Sequence, residues 1–81
     1  MREVVIRDTF IKLGQALKLG GFTGSGVEAK LLIEDGKVLV NGECETRRGK
    51  KLYDGDIFAV NGEQCIVHSS AKGPAAGSGK E

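Results

Sequence analysis

The sequence predicts an α+β fold in which two helices pack on a small, mainly antiparallel β-sheet, followed by a disordered C-terminal tail. The first half has two segments with helical periodicity, and the second half alternates short β-type runs with glycine turns. After residue 68 the composition changes to mostly Ser, Ala, Gly and Lys, with too little apolar surface to offset chain entropy. The 81 residues, 40% of them hydrophobic, suffice for one small core. We therefore expect a single domain over residues 1–68 and a flexible tail over residues 69–81.

The first predicted helix spans residues 10–18. It follows the short β-type run Val4 to Ile6, which is suited to an edge strand, and Asp8-Thr9 is typical of a helix start. Four residues of the helix share one apolar face at a period of 3.6, namely Phe10, Leu13, Gly14 and Leu17. Gly20-Gly21 ends the helix.

The second predicted helix spans residues 26–35. Ser25 with Glu28 three residues later forms a capping box, in which each side chain bonds a backbone N–H that the helix leaves free. Apolar residues cover most of the circumference and leave Lys30 and Glu34 as the solvent stripe, so we expect this helix to be largely buried.

The rest of the predicted sheet follows from turn residues. Asn41-Gly42 is a strong signal for a hairpin, because both central positions of a type I′ turn need a positive φ angle. Strands are expected over residues 37–40, 57–60 and 65–67, with further turns at Asp54-Gly55-Asp56 and Asn61-Gly62. Residues 47–51 form a basic loop between them.

The composition argues against several classes of function. Cys44 and Cys65 are far apart and have only His68 as a nearby nitrogen ligand, so we expect reduced thiols buried in the β layer, with no metal and no cofactor. No carboxylate pair or activated nucleophile suggests an enzyme. No apolar stretch of about 18 residues and no secretory signal is found, so we expect a cytoplasmic protein without a membrane segment.

The charges point to a phosphate-binding surface. The formal net charge is only +1, but the basic residues are concentrated before Tyr53 and the acidic residues dominate after it. The start of the second helix directs free N–H groups outward at the positive end of the helix dipole, as phosphate sites commonly do. The candidate RNA-binding residues are therefore Lys12, Lys18, Ser25, Gly26, Lys30, Lys37, Arg47, Arg48, Lys50 and Lys51.

Several motifs in fixed order resemble the RNA-binding domain first described in small-subunit ribosomal protein four, also called the αL motif. They are the run Ile11 to Leu17, Ser25, the run Ala29 to Gly42 that ends in Val-Asn-Gly, and the run Tyr53 to Ile57. The resemblance covers residues 10–60 and implies RNA held along a surface of helices and loops. Members of this family commonly carry Arg directly after the capping Ser, and here that residue is Gly26.

We therefore expect a non-catalytic protein that recognises structured RNA, ribosomal or transfer RNA, through its phosphates, with ribosomal particles as one source of that RNA and a monomer as the default state. Few aromatic residues are available to stack on unpaired bases, which favours recognition of folded RNA by shape. Two alternatives stay open at this point. One is a protein–protein adaptor that uses the edge strand Val4 to Ile6, and the other is a β-grasp carrier, which would need a C-terminal Gly-Gly.

Overall fold

The computed structural model describes residues 1–71 and confirms the α+β class with two helices on a mainly antiparallel sheet. Its elements in chain order are β1 (Arg2–Ile6), β2 (Phe10–Lys12), α1 (Leu13–Leu19), α2 (Gly26–Glu34), β3 (Val38–Val40), β4 (Glu43–Cys44), β5 (Lys51–Tyr53), β6 (Ile57–Val60) and β7 (Glu63–Ser69). The last strand runs one residue past the expected domain boundary, because buried Ser69 donates its N–H to Asp54 Oδ1 at 2.8 Å. Most of the predicted tail, residues 72–81, lies outside the described residues.

The main sheet has five strands in the order β1-β7-β6-β3-β4. β1 pairs in parallel with β7 and lies at the edge, as predicted, while the other pairings are antiparallel. Both predicted Asn-Gly turns are confirmed, with positive φ angles of 50° and 87° at Asn41 and Gly42, and of 51° and 83° at Asn61 and Gly62. The turn residues thus set the register of the antiparallel strands.

The first helix begins at Leu13, so its predicted start at Phe10 is wrong. Phe10–Lys12 forms β2 instead, which pairs antiparallel with β5 in a separate two-stranded sheet. The burial of these strands alternates, with Ile11 and its partner Leu52 buried and Lys12 exposed, as a half-buried strand requires. The pairing partners are far apart in sequence, so no local pattern distinguished this strand from a first helical turn.

The second helix is less buried than predicted. Only Ala29 and Ile33 are buried, whereas Val27 and Leu31 are 69% and 55% exposed. The core that α1 and α2 cover against the sheet is compact, and its largest fully buried side chains are Phe58, Leu13, Leu17, Ile33, Leu52, Val38, Val67 and Cys65. The narrow face of α2 that contains Ala29 and Ile33 is therefore enough to cover the core.

The two cysteines have different environments. Cys65 is buried as expected, and this burial raises the pKa of its thiol. Cys44 lies exposed on β4, at the other edge of the sheet, so the prediction that both thiols are buried is wrong. Both residues of β4, Glu43 and Cys44, are exposed. No group of three or more metal-ligating side chains occurs within residues 1–71, and no helix there is long and apolar enough to cross a membrane.

Candidate nucleic-acid interface

The basic loop, predicted over residues 47–51, ends at Lys50 because Lys51 already belongs to β5, and it is held against the first turn of α1. The N–H of Leu13 donates to the carbonyl oxygen of Lys50 at 2.8 Å, and the N–H of Gly14 donates to that of Arg48 at 3.1 Å. First-turn N–H groups have no acceptor inside their own helix, so the loop carbonyls take that place. The loop is therefore fixed to the helix by its backbone, which leaves its side chains free to point elsewhere.

Gly14 allows the loop to come this close. A Cβ atom added at Gly14 would lie 2.7 Å from Arg48 Cγ and 3.2 Å from Arg48 Cδ, well inside van der Waals contact. The sequence marked Gly14 only as part of an apolar helix face. Its actual role is to let the Arg48 side chain pass over the helix surface.

Four of the ten candidate residues line one concavity of about 350 Å³ between α1, the start of α2 and the basic loop. Its lining residues are Lys12, Gly14, Gln15, Lys18, Gly26, Arg48 and Gly49. Lys12, Lys18 and Arg48 are exposed, and none of the three makes an ion pair with a residue of the described chain. Three uncompensated cations from three elements therefore surround one space of a size that can take a phosphate group.

A second concavity, of about 550 Å³, adjoins the first at Gly49. It is lined by Arg47, Gly49, Lys50, Lys51 and Tyr53. Lys51 stands directly opposite Lys12 in the register of β2 and β5, and opposed residues of an antiparallel pair have Cβ atoms about 5 Å apart. Like charges at such positions destabilise a sheet unless an anion offsets them. We call the cationic lining of both concavities the basic surface, which comprises Lys12, Lys18, Arg47, Arg48, Lys50 and Lys51.

Arg47 differs from the other cations because it has an acidic partner. Its Nε and Nη2 atoms donate to the two carboxylate oxygens of Glu45 at 2.9 Å and 3.2 Å, and its N–H donates to Glu45 Oε2 at 3.0 Å. These bonds hold the pKa of Glu45 at about 2, well below its ordinary value of 4.5, and raise the pKa of Arg47. The charge of Arg47 is thus offset by that of Glu45, which lies just before the loop.

The N-terminus of α2 contributes Gly26 to the first concavity. Ser25 caps the helix as predicted, because its Oγ accepts from the N–H of Glu28 at 3.2 Å. The Glu28 carboxylate accepts from the N–H of Gly24 at 2.7 Å, one residue earlier than in a regular capping box. A Cβ atom added at Gly26 would meet nothing within 4 Å. A larger residue therefore fits at this position without displacing its neighbours.

The remaining candidates lie elsewhere. Lys30 is exposed on α2 and Lys37 is exposed just before β3, and neither lines the two concavities, nor does Ser25. Conversely, the concavities include four residues that the sequence did not single out, which are Gly14, Gln15, Gly49 and Tyr53. Tyr53 reaches the site only through the pairing of β5 with β2, for which the sequence carries no local signal.

Together, two helices over a mainly antiparallel sheet and a basic loop docked on the first helix define a small αL-type module. A sequence model of the S4 domain matches residues 4–68, so this chain belongs to the S4 domain family.

Two bacterial relatives consist of little more than the matched region. The chain is 44% identical over 59 residues to the "Probable ribosome maturation protein RlbA" of Bacillus subtilis (strain 168), which covers 73% of this chain and 83% of that protein. It is 38% identical over 57 residues to YbcJ of Escherichia coli (strain K12), a protein with a proposed RNA-binding role, over 70% of this chain and 81% of YbcJ. The solution structure of E. coli YbcJ, which reveals an αL motif involved in RNA-binding, superposes with a TM-score of 0.66 and 32% identity, covering 84% of this chain and 87% of that one.

Proposed function

We propose that this protein binds structured RNA through the phosphate contacts of its basic surface and catalyses no reaction on it. The observation that carries the proposal is the convergence of Lys12, Lys18 and Arg48, without acidic partners among residues 1–71, around one concavity. Each phosphate that such cations neutralise releases condensed counterions, which drives binding. The opposed pair of Lys12 and Lys51 extends the same surface into the second concavity.

The aromatic side chains favour folded RNA over single strands as the ligand. Phe10 and Tyr53 contact each other with ring centroids 6.0 Å apart, and Phe22 packs against buried Phe58 at 5.6 Å. Lys51 Nζ lies 4.8 Å from the centroid of Phe10, and the Arg2 guanidinium lies 4.3 Å from that of Phe22. Of these four rings only Tyr53 lines a concavity of the basic surface, so one ring there is left for base stacking. The basic surface supports recognition of folded RNA by the shape of the RNA backbone.

The relatives direct the proposal towards ribosomal RNA. One is named for ribosome maturation, and the other is a stand-alone protein whose αL motif is described as involved in RNA-binding. We infer that ribosomal RNA, free or in a ribosomal particle in the cytoplasm, is the first ligand to test, with transfer RNA second. The folded domain that carries the basic surface is the binding unit.

The test compares two double variants that each remove two positive charges. Lys12→Ala/Arg48→Ala empties the first concavity of two cations, whereas Lys30→Ala/Lys37→Ala removes two candidates that lie outside both concavities. Affinity for a structured ribosomal RNA fragment and for a DNA duplex of equal length is measured at 50 and 200 mM salt. We expect the first variant to weaken RNA binding at least tenfold. It should also lower the slope of log affinity against log salt by about 1.5, because each of the two lost phosphate contacts contributes roughly 0.7–0.9. The second variant should change affinity less than about threefold.

Equal losses in the two variants would show that net charge alone drives binding, and would contradict the assignment of the basic surface. Absence of RNA binding by the unmodified protein at 50 mM salt would overturn the proposed function itself. Circular dichroism of each variant confirms that the exposed substitutions leave the fold intact.

A further inference from the structure

β1 presents an open edge of the main sheet. Its even-numbered residues direct their backbone groups towards β7, as the carbonyl oxygen of Ile6 shows by accepting from the N–H of Ser70 at 3.1 Å. Backbone groups alternate along a strand, so those of Glu3 and Val5 point away from the sheet. The sheet order places no strand of the described chain beyond them. An edge of this kind is a template for pairing with another strand.

The side chains of β1 separate cleanly by face. Val4 is buried and Ile6 is half-buried, so both belong to the core side. Glu3 and Val5 are exposed on the other face, and exposed Arg7 follows directly after the strand. Val5, at the centre of this face of the strand, is 71% exposed.

The segment from Glu3 to Arg7, which ends one residue past β1, is complementary to itself in the antiparallel direction. When Val5 is placed opposite Val5 of a second copy, Glu3 faces Arg7, and Val4 faces Ile6 on the core side. Arg2, one step further out, is already bonded to Glu63 at 3.1 Å and to the carbonyl oxygen of Gly20 at 2.9 Å, so it is not counted as a pair with Asp8. Each apolar residue of this segment then meets an apolar residue, and Glu3, whose contact within its own chain is His68 Nε2 at 3.5 Å, meets Arg7. Such cross-strand pairs stabilise a sheet.

The backbone agrees with this register. Val5 directs its N–H and carbonyl groups outward, so the central Val5–Val5 position forms a hydrogen-bonded pair of an antiparallel ladder. A register shifted by two, with Val4 opposite Val4, also satisfies the backbone but places Glu3 opposite Val5. The opposite shift places Ile6 opposite Ile6 and Val5 opposite Arg7. Only the centred register matches charge and apolar character at every position.

We propose that two copies of this protein associate through antiparallel pairing of their β1 strands, centred on Val5, which joins the two five-stranded sheets into one. A strand of this length buries far less surface than the roughly 1,200–2,000 Å² of a standard stable interface. The dimer is therefore weak and depends on protein concentration. None of Glu3, Val5 and Arg7 lines the two concavities of the basic surface.

Charge exchange tests this register directly. Sedimentation equilibrium without RNA should show dimerisation of the unmodified protein in the upper micromolar to millimolar range. Glu3→Arg places Arg against Arg twice per dimer, and Arg7→Glu places Glu against Glu, so each should weaken the dimer at least about tenfold. Glu3→Arg/Arg7→Glu restores both pairs and should restore the dimer, and an equimolar mixture of the two single variants should form heterodimers.

A cysteine cross-link gives an independent measurement. In a Cys44→Ser background, Val5→Cys places two thiols on opposed residues whose Cα atoms are about 5.5 Å apart, within the range that a disulfide spans. Glu3→Cys is the matched control, since the two Glu3 positions are about 13 Å apart along the strand direction in this register. Mild oxidation should therefore cross-link the first variant and not the second. A protein that stays monomeric to millimolar concentration, or a dimer that is insensitive to the charge exchange, would overturn the proposal.

Discussion

Arg48 and Arg47 are adjacent in the chain, yet the structure predicts unequal roles in RNA binding. Arg48 lines the first concavity without an acidic partner among the described residues, whereas Arg47 is bonded to Glu45 through both its side chain and its N–H. Loss of one charge-assisted contact costs about 1.5–3 kcal/mol, and an exposed site belongs at the lower end of that range. Arg48→Ala should therefore weaken binding about tenfold.

The salt dependence gives a second, independent magnitude. One phosphate contact contributes about 0.7–0.9 to the slope of log affinity against log salt. Over a fourfold increase in salt this corresponds to about threefold in affinity. Arg48→Ala should lower the slope by about that amount, and Arg47→Ala should lower it by clearly less. Glu45→Gln removes the negative charge that offsets Arg47 and should raise RNA affinity, with a steeper slope.

Fluorescence anisotropy with a labelled ribosomal RNA fragment, at four salt concentrations between 50 and 200 mM, measures both quantities. The matched comparison is Arg47→Ala against Arg48→Ala, because both remove one arginine from the same loop. Equal losses for the two variants, together with no gain from Glu45→Gln, would refute the argument that Glu45 offsets the charge of Arg47. A loss confined to Arg47→Ala would reverse the assignment of the phosphate contact.

Three further predictions concern single residues. Gly26→Arg should raise RNA affinity in the same anisotropy assay, because an added Cβ meets nothing within 4 Å and the new cation adjoins the first concavity. Leu52→Ala should lower the free energy of unfolding by about 2–5 kcal/mol in urea titrations, since this fully buried side chain ties the β2–β5 sheet to the core. The pKa of Glu45 is lowered to about 2, so its stabilising effect is complete above pH 4.5 and is lost as pH falls towards 2. In urea titrations between pH 5 and 2, Glu45→Gln should therefore lose less stability than the unmodified protein.

Elements with a local signal were predictable from the sequence. The Asn-Gly turns have positive φ angles because Asn and Gly tolerate them, and they fixed two hairpins. Ser25 caps the second helix through the bond that its hydroxyl was expected to make. The family resemblance was confirmed over residues 4–68. The turns and the cap each depend on residues within a few positions of one another, and the resemblance depends on several such local motifs in a fixed order.

Features that depend on distant pairing were not predictable in the same way. Phe10–Lys12 fits the first turn of a helix as well as a strand, and only its pairing with Lys51–Tyr53 decides between them. That pairing places Lys12 opposite Lys51, and the helix that follows receives the backbone of the basic loop at Leu13 and Gly14. The sequence identified seven candidate residues that do line the concavities, but it had no means of grouping them around two adjacent spaces.

The same structure explains how a chain with a net charge of +1 can present a strongly cationic surface. Several carboxylates are used as acceptors for backbone N–H groups: Asp56 for Tyr53 at 2.7 Å, Asp54 for Ser69 at 2.8 Å and Glu28 for Gly24 at 2.7 Å. Such carboxylates stabilise turns, strand ends and a helix start, and these bonds hold them away from Lys12, Lys18 and Arg48. The chain as a whole is therefore nearly neutral, whereas the basic surface keeps its positive charge. Binding strength should follow the local cations. Exchanging a distant lysine for a neutral residue changes the net charge as much as removing Lys12, Lys18 or Arg48, but it should have little effect on RNA affinity.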